Sequence, residues 1–267
     1  MAFHHYHRAT SLEDAQQTLL SHPSNILLGG GLWIKKSNAE ADTAVDLSLL
    51  GLDQINEKED HIEVGAMVTL RDFETNPAIQ KLGGGFVAHA VGQIMGVALR
   101  KLATVGGSIA AKLPFSDVIT PLLTLDVTLV FYPKKEIKLA DYLSSKGKNK
   151  DILTHLIIKK TPGFGFFKKV GNTALDFAQL NIAISRLNSH VAIALGSRPG
   201  VAALATQAMA YLNGCAKIGP KDIEKAAEMA VAELSFASTT FASEDYRKTL
   251  ALTYVRRGLE EVLAHAS

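Results

Sequence analysis

Two glycine-bearing turns, each placed directly after an apolar run, constrain this chain more than any other feature of its sequence. The first is Gly29–Gly31, which follows Ile26-Leu-Leu28, and the second begins at Thr104 and contains Gly106-Gly107. Glycine lets a backbone approach a ligand closely and adopt positive φ, which leaves peptide N–H groups free to point at a phosphate. With Asp117 beyond the second turn, the pair predicts a pyrophosphate that is held from two sides.

Simpler explanations of these residues can be weighed from the sequence. Gly29–Gly31 alone could be a tight strand-to-helix turn. A Rossmann dinucleotide site needs a third glycine three residues later, where this chain has Ile34, and the Gly-Lys-Ser/Thr of a Walker loop is absent. Asp117 could cap the helix predicted after it, and the sequence leaves that alternative open.

Composition bounds the class of protein. The chain has 267 residues, 47% of them hydrophobic and 20% charged, which is typical of a folded globular protein with a sizeable core. A net charge of +2 is too small to indicate nucleic acid or an anionic membrane as the main partner. The single cysteine, Cys215, excludes an internal disulfide framework or a cysteine-held iron–sulfur cluster and fits a reducing compartment.

The sequence also predicts where the chain is located. The N-terminus lacks the apolar core of a signal peptide, and no apolar run approaches the roughly 18 residues that cross a bilayer. We therefore expect a soluble, cytoplasmic protein without a membrane span. We expect His4, His5 and His7 to have no acidic or cysteine partners, so we interpret them as a frayed polar terminus and predict no metal site.

Hydrophobic periodicity divides the chain into segments. Ser11 is expected to cap a helix, and a helical period covers Phe86–Leu99. The same patterns predict short helices from Leu70, Pro77 and Leu139 and C-terminal helices at about 201–212, 221–234 and 244–265. They predict strands at 25–28, 44–49, 61–66, 127–131, 152–158, 177–187 and 191–195. Strands followed by helices are an α+β signature, so 161–267 is expected to form a domain separate from 1–160. Residues 1–160 are expected to divide into two subdomains at about residue 53.

Residues 133–150 carry six lysines. We interpret this segment as a solvated loop around a short helix, and a docking surface is the alternative.

The ordered set of motifs resembles the FAD-binding medium subunit of the molybdenum hydroxylases, the group of xanthine dehydrogenase and carbon monoxide dehydrogenase. The matching segments run through the whole chain in the family's order. They are Gly29-Gly-Gly-Leu-Trp-Ile34, Leu99-Arg-Lys101, Thr104-Val-Gly-Gly-Ser108 with Asp117, Pro121–Asp126, Asp151-Ile-Leu-Thr154, Lys169 with Asp176, Tyr246-Arg247 and Arg256-Arg257.

The resemblance implies an α+β fold in which a two-subdomain FAD-binding domain of the PCMH/VAO type precedes a C-terminal domain of a three-stranded antiparallel sheet with helices. FAD would bind non-covalently between the two subdomains, and no residue would be catalytic in the chain itself. Backbone amides of two segments would hold the pyrophosphate: Leu27, Leu28, Gly29, Gly30, Gly31, Leu32, Trp33 and Ile34, and Gly106, Gly107 and Ser108.

Side-chain roles are implied in the same way. Thr104 would donate its hydroxyl to a phosphate, and Asp117 would accept from a ribose or ribityl hydroxyl. Leu153 would pack against the isoalloxazine. Lys169 would lie near its polar edge, where a cation favours the reduced anionic flavin.

Partner chains are implied as well. Molybdopterin and [2Fe-2S] clusters would be carried by separate subunits, and electrons would pass from the clusters through FAD to NAD+, a quinone or oxygen. Leu32, Trp33, Thr173 and Ser108 depart from the family's residues, which removes side-chain contacts and leaves backbone ones. Leu32, Trp33 and Thr173 motivate the alternative of a structural subunit with weakened or lost flavin binding. A third hypothesis is a flavin reductase that acts without partners.

Overall fold

A computed structural model describes residues 2–32, 40–145 and 150–265. Its chain forms two compact units whose segments alternate along the sequence. The first unit contains Met1–Phe73, Gly96–Ala111 and Thr128–Ile158, and the second contains Glu74–Met95, Lys112–Val127 and Lys159–Ser267. Trp33 and Ile34, which belong to the predicted site, lie outside the described residues.

The first unit begins with a parallel sheet in the order β1-β3-β2. Its elements are β1 (Ala2–Arg8), α1 (Leu12–Ser21), β2 (Ile26–Leu28) and β3 (Glu40–Asp46). α1 begins where the sequence predicts, because the Ser11 side chain accepts a hydrogen bond from the Asp14 N–H at 3.1 Å. Ala15 and Leu19 of this helix are buried in a small core with Val45.

Loss of the α1 cap has a measurable cost. We expect Ser11→Ala to lower the free energy of unfolding by about 1 kcal/mol, because an N-terminal N–H of the helix loses its acceptor. Urea denaturation followed by circular dichroism measures this difference. Ser11→Asp keeps an acceptor oxygen and should retain the stability of the parent chain; equal losses in both variants would contradict the capping role.

A second sheet completes the first unit, in the order β4-β5-β8-β6-β7. Its strands are β4 (Ile55–Glu57), β5 (His61–Gly65), β6 (Val127–Tyr132), β7 (Lys135–Lys138) and β8 (Ile152–Lys159). Between β5 and β6 the chain forms a series of short helices. They are α2 (Leu70–Thr75), α3 (Pro77–Lys81), a 3-10 turn (Leu82–Gly85), α4 (Phe86–Gly92), α5 (Val97–Arg100), α6 (Val105–Ala110) and α7 (Ile119–Leu122). α8 (Leu139–Ser144) follows β7.

The second unit is built on an antiparallel sheet in the order β12-β11-β10-β9. Its elements are β9 (Gly163–Val170), β10 (Leu180–Leu187), β11 (His190–Gly196), β12 (Ala203–Leu204), α9 (Thr206–Asn213), α10 (Pro220–Glu233) and α11 (Glu244–Ala264). Ile182, Ile184 and Ile193 of the sheet are buried with Val255 and Leu259 of α11.

The predicted C-terminal sheet was one strand short. Within the described residues this sheet has four strands, because Ala203 and Leu204 pair with Leu195 and Ala194 of β11. These two residues were predicted to belong to a helix, but α9 begins only at Thr206.

Three other expectations were wrong in part. The predicted helix 86–99 breaks between α4 and α5, where Met95 has φ 32° and Gly96 is extended, and where the chain passes from the second unit to the first. The strand predicted from Phe177 begins at Leu180. The histidine-bearing terminus is not frayed: it is β1, with His5 opposite Thr43. His7 also has an acidic partner that was not expected, since its Nε2 lies 2.9 Å from Asp14 Oδ1.

The lysine-rich segment is described except for 146–149. It contains β7 and α8, and Lys135 and Lys150 are among its residues with partners in the first unit. Lys135 lies 2.8 Å from Asp151, and Lys150 donates to the carbonyl oxygens of Leu19 and His22 at the end of α1. Across the described residues, no helix is long and apolar enough to cross a membrane.

Candidate functional site

The two glycine turns meet in the first unit. A methyl group on Gly30 would lie 1.6 Å from the carbonyl oxygen of Leu102, so only glycine permits this approach. A methyl on Gly29 would lie 3.0 Å from Thr104 Oγ1. Gly31 has φ +71°, a conformation that side chains disfavour. The turn therefore requires glycine for close contact and for backbone shape.

A cavity of about 210 Å³ opens between the turns. Its lining combines both predicted motifs: Leu27, Gly29, Gly30, Gly31, Leu32, Ala103, Thr104, Gly107, Ser108, Ala110 and Ala111. This volume is below the range of pockets that enclose a drug-sized molecule. It fits one part of a larger cofactor, such as a pyrophosphate.

Hydrogen-bond donors are available on the first turn. Among the described residues, no acceptor takes the backbone N–H groups of Gly29, Gly30 or Gly31. Buried or half-buried N–H groups without an acceptor are uncommon in folded proteins. The first turn can therefore direct several N–H groups at an anion.

The second turn is arranged differently. Its N–H groups have protein acceptors: Gly106 donates to the carbonyl oxygen of Ala66 at 2.9 Å, Gly107 to Thr104 Oγ1 at 3.1 Å and Ser108 to the Thr104 carbonyl oxygen at 3.0 Å. The Thr104 hydroxyl hydrogen has no acceptor among the described residues. A methyl on Gly107 would lie 2.8 Å from Thr104 Oγ1. Glycine at position 107 therefore leaves the space around the Thr104 hydroxyl free, and that hydroxyl can donate to a ligand.

β8 is connected to the second turn by backbone hydrogen bonds through Ala66. The Ala66 N–H donates to the Thr154 carbonyl oxygen at 2.8 Å, and Ala66 in turn accepts from Gly106. Leu153 precedes Thr154 and is buried. Its predicted contact with the isoalloxazine stays a prediction, but the strand that carries it is bonded to the cavity wall.

Asp117 and Lys169 lie together in the second unit. Lys169 Nζ is 3.5 Å from Asp117 Oδ2 and donates to the Gln93 carbonyl oxygen at 3.1 Å. The side chains of the pair are only 6% and 5% exposed. Burial raises the pKa of Asp117, and the hydrogen bond from Asn181 together with the charge of Lys169 opposes that shift.

Asp117 is not a helix cap. α7 is preceded by Val118, and the two N–H groups at its start donate instead to Ser116 Oγ. The Asp117 carboxylate accepts from Asn181 Nδ2 at 2.7 Å. The alternative that the sequence left open is therefore wrong, because the N–H groups at the start of α7 donate to Ser116 Oγ and not to Asp117.

Sequence reasoning missed Asn181. It lies on β10, is completely buried, and accepts at Oδ1 from the Thr120 hydroxyl at 2.9 Å while it donates to Asp117. The available signal was a lone amide in the apolar run Leu180-Asn-Ile-Ala-Ile184. Buried polar side chains almost always have hydrogen-bond partners, so such a residue indicates a polar network.

Comparisons with known proteins agree with this architecture. Residues 1–160 match the model of the FAD binding domain in molybdopterin dehydrogenase, and residues 165–262 match that of the CO dehydrogenase flavoprotein C-terminal domain.

Individual relatives span nearly the whole chain. The nicotine 6-hydroxylase medium subunit of Paenarthrobacter nicotinovorans is 25% identical over 96% of both chains. The putative xanthine dehydrogenase FAD-binding subunit of Escherichia coli is 26% identical over 99% of this chain and 97% of its own.

A solved carbon monoxide dehydrogenase chain from Hydrogenophaga pseudoflava shares the fold, with a TM-score of 0.90, 22% identity and 98% of each chain covered. The resemblance found in the sequence is confirmed. This chain belongs to the family of FAD-binding flavoprotein subunits of the molybdopterin dehydrogenases, and it is an oxidoreductase component whose cofactor is FAD.

Proposed function

We propose that this chain is the electron-transfer subunit of a molybdenum hydroxylase complex. It would receive electrons from [2Fe-2S] clusters on one partner chain, while another partner carries molybdopterin. The electrons would leave through FAD to NAD+, a quinone or oxygen. The observation that carries the proposal is the cavity between the two glycine turns, where backbone and hydroxyl donors face a space of phosphate size.

Named residues take the following parts in this proposal. The N–H groups of Gly29–Gly31 and the hydroxyl of Thr104 bind the pyrophosphate of a non-covalent FAD. Leu153 packs on the ring system, and Asp117 accepts from a sugar or ribityl hydroxyl. Lys169 lies at the polar edge of the flavin and is held in place by Asp117 and the Gln93 carbonyl.

Two further parts of the proposal concern the chain as a whole. The domain boundary near residue 160 is supported by the separate four-stranded sheet that begins with β9. A cytoplasmic location is supported by the single cysteine.

The alternative is a structural subunit that binds FAD weakly or not at all. Leu32 and Thr173 motivate it, because they replace polar side chains of the family. The backbone donors of the first turn favour flavin binding instead, since they do not depend on side-chain identity. The Thr173 N–H also donates to Asp176 Oδ2 at 3.0 Å, so the loop that follows Lys169 is closed without the family's arginine.

Thr104→Val tests the cavity. We expect the variant to bind FAD about tenfold or more weakly, since it loses a donor to phosphate and the acceptor of the Gly107 N–H. Fluorescence quenching during titration of FAD with apoprotein gives the affinity. Thr104→Ser keeps the hydroxyl and should bind FAD nearly as well as the parent chain.

Unchanged affinity in folded Thr104→Val would remove the cavity from the proposal. The third hypothesis, a reductase without partners, is checked in the same preparation. NADH-driven bleaching of the isolated holoprotein would support it, and copurification with larger partner chains would count against it.

A further inference from the structure

A second and larger cavity lies within the second unit. Its volume is about 570 Å³, within the range of sites that enclose a small organic ligand. Three chain segments form most of its wall: Pro114 and Phe115, the loop 172–179, and 239–241, together with Ser197, Pro199 and Arg247. The Ser197 N–H donates to the Pro114 carbonyl oxygen at 2.8 Å, which joins two parts of the wall.

Aromatic rings dominate this wall. Phe115 and Phe177 stack with their centroids 4.3 Å apart and their planes inclined by 37°. Phe177 is 43% exposed and Phe241 is 75% exposed. Exposed rings without a binding role would be scattered over the surface. Two large aromatic side chains that remain this exposed around one cavity therefore indicate a binding surface for an apolar group.

The charged groups of the wall do not suit an anionic ligand. Of the lining residues in the described chain, Arg247 is the one cation and Asp176 the one acid. Arg247 is itself buried, and its two terminal nitrogens donate to the carbonyl oxygens of Gln179 and Ser197 and to Thr239 Oγ1. These bonds hold three wall segments together and leave only the buried Nε of Arg247 without a partner in the described parts of the chain, so the guanidinium cannot offer a phosphate the paired N–H groups that it usually provides, as the pyrophosphate of a nicotinamide dinucleotide would require.

Two polar groups of the wall, Arg247 Nε and the Ser197 hydroxyl, are buried without a hydrogen-bond partner among the described residues. Ser197 is uncharged and only 3% exposed. Ser197 also adopts φ 58°, which is uncommon for a residue with a side chain. A buried hydroxyl without a partner, on a strained backbone beside a cavity, is the arrangement expected of a group that meets a ligand.

We propose that this cavity binds a flat, uncharged aromatic carbonyl compound of the quinone class. Its ring lies against Phe177 and Phe241, and its carbonyl oxygen accepts from the Ser197 hydroxyl. This rests on the proposed function, because it names the class of electron acceptor. In that role the quinone takes up two electrons and two protons, supplied by the reduced cofactor, and leaves as the hydroquinone.

Calorimetric titration of the FAD-loaded full chain tests the proposal. The probe is dimethylnaphthoquinone, whose methylated ring positions block addition of the free Cys215 thiol. We expect one saturable site, about tenfold weaker in Phe177→Ala. Ser197→Gly should weaken binding several-fold and should fold well, since glycine relieves the positive φ. Phe3→Ala, which removes an exposed ring of the first unit, should leave binding unchanged.

Other outcomes overturn the proposal. They are absence of saturable binding by fully FAD-loaded chain, tighter binding of naphthoate than of the quinone, NADH binding that Phe177→Ala weakens, and loss of quinone binding when the partner chains are present. The first of these leaves the proposed function intact, because FAD loading is measured separately from the visible absorbance. Quinone binding by a chain that cannot take up FAD would instead support the site and contradict the proposed function.

Discussion

Replacement of Gly30 by alanine should abolish detectable FAD binding. The new methyl carbon would lie 1.6 Å from the Leu102 carbonyl oxygen and 2.6 Å from its carbonyl carbon. Both are backbone atoms, so no side chain can move aside, and the first turn must shift away from the second. The cavity exists only while the two turns are in contact. We therefore expect a loss of at least a hundredfold in FAD affinity, about 2.7 kcal/mol or more.

The control separates this effect from the general cost of replacing a glycine. A methyl on Gly200 would meet nothing within 4 Å, and its φ is not in the left-handed region. Gly200→Ala should therefore bind FAD like the parent chain. FAD titration followed by fluorescence, with circular dichroism to confirm folding, compares the two variants. A folded Gly30→Ala with parental affinity would show that FAD does not use this cavity.

Removal of the Lys169 charge should have the largest effect on stability. Lys169→Met leaves the Asp117 carboxylate buried with only Asn181 as its hydrogen-bond donor among the contacts described. Breaking one side of a buried ion pair typically costs about 3–5 kcal/mol. We expect a loss of this order in the free energy of unfolding of the apoprotein, measured by urea denaturation.

The pH dependence of this variant follows from Asp117. Burial raises the pKa of this carboxyl in the folded chain, and the variant lacks the cation that opposes the shift. A group with a raised folded-state pKa stabilises the fold below its unfolded pKa, and that contribution is lost as pH rises through the folded value. The deficit of Lys169→Met should therefore shrink toward acidic pH.

The double variant Lys169→Met/Asp117→Asn removes both charges and keeps an acceptor for the Asn181 amide. It should recover most of the lost stability, because the two positions interact directly. A deficit in Lys169→Met that is independent of pH, or a double variant as unstable as the two single variants added together, would contradict the ion-pair account.

Much of the fold followed from the sequence where local signals were strong. Ser11 identified the start of α1, and the alternation of Val127–Phe131 identified β6. The helix expected over 86–99 failed because periodicity reports burial and cannot show that Met95 and Gly96 lie where the chain leaves one unit for the other. β12 was missed because two residues carry no periodic pattern.

The candidate site was predicted in part. Glycine spacing pointed to both turns, and the structure brings them together at one cavity. The sequence could not show that the N–H groups of Gly106–Ser108 are bonded within the protein, because their acceptors come from Ala66 and Thr104 through tertiary contacts. The same holds for Arg247, whose partners are separated from it by up to 68 residues.

Equilibrium dialysis of the purified apoprotein against FAD tests the central claim most directly. The account predicts one FAD bound per chain, a visible flavin spectrum after dialysis, and release of the whole cofactor when the protein is denatured. A folded chain that retains no flavin even in excess FAD would contradict it.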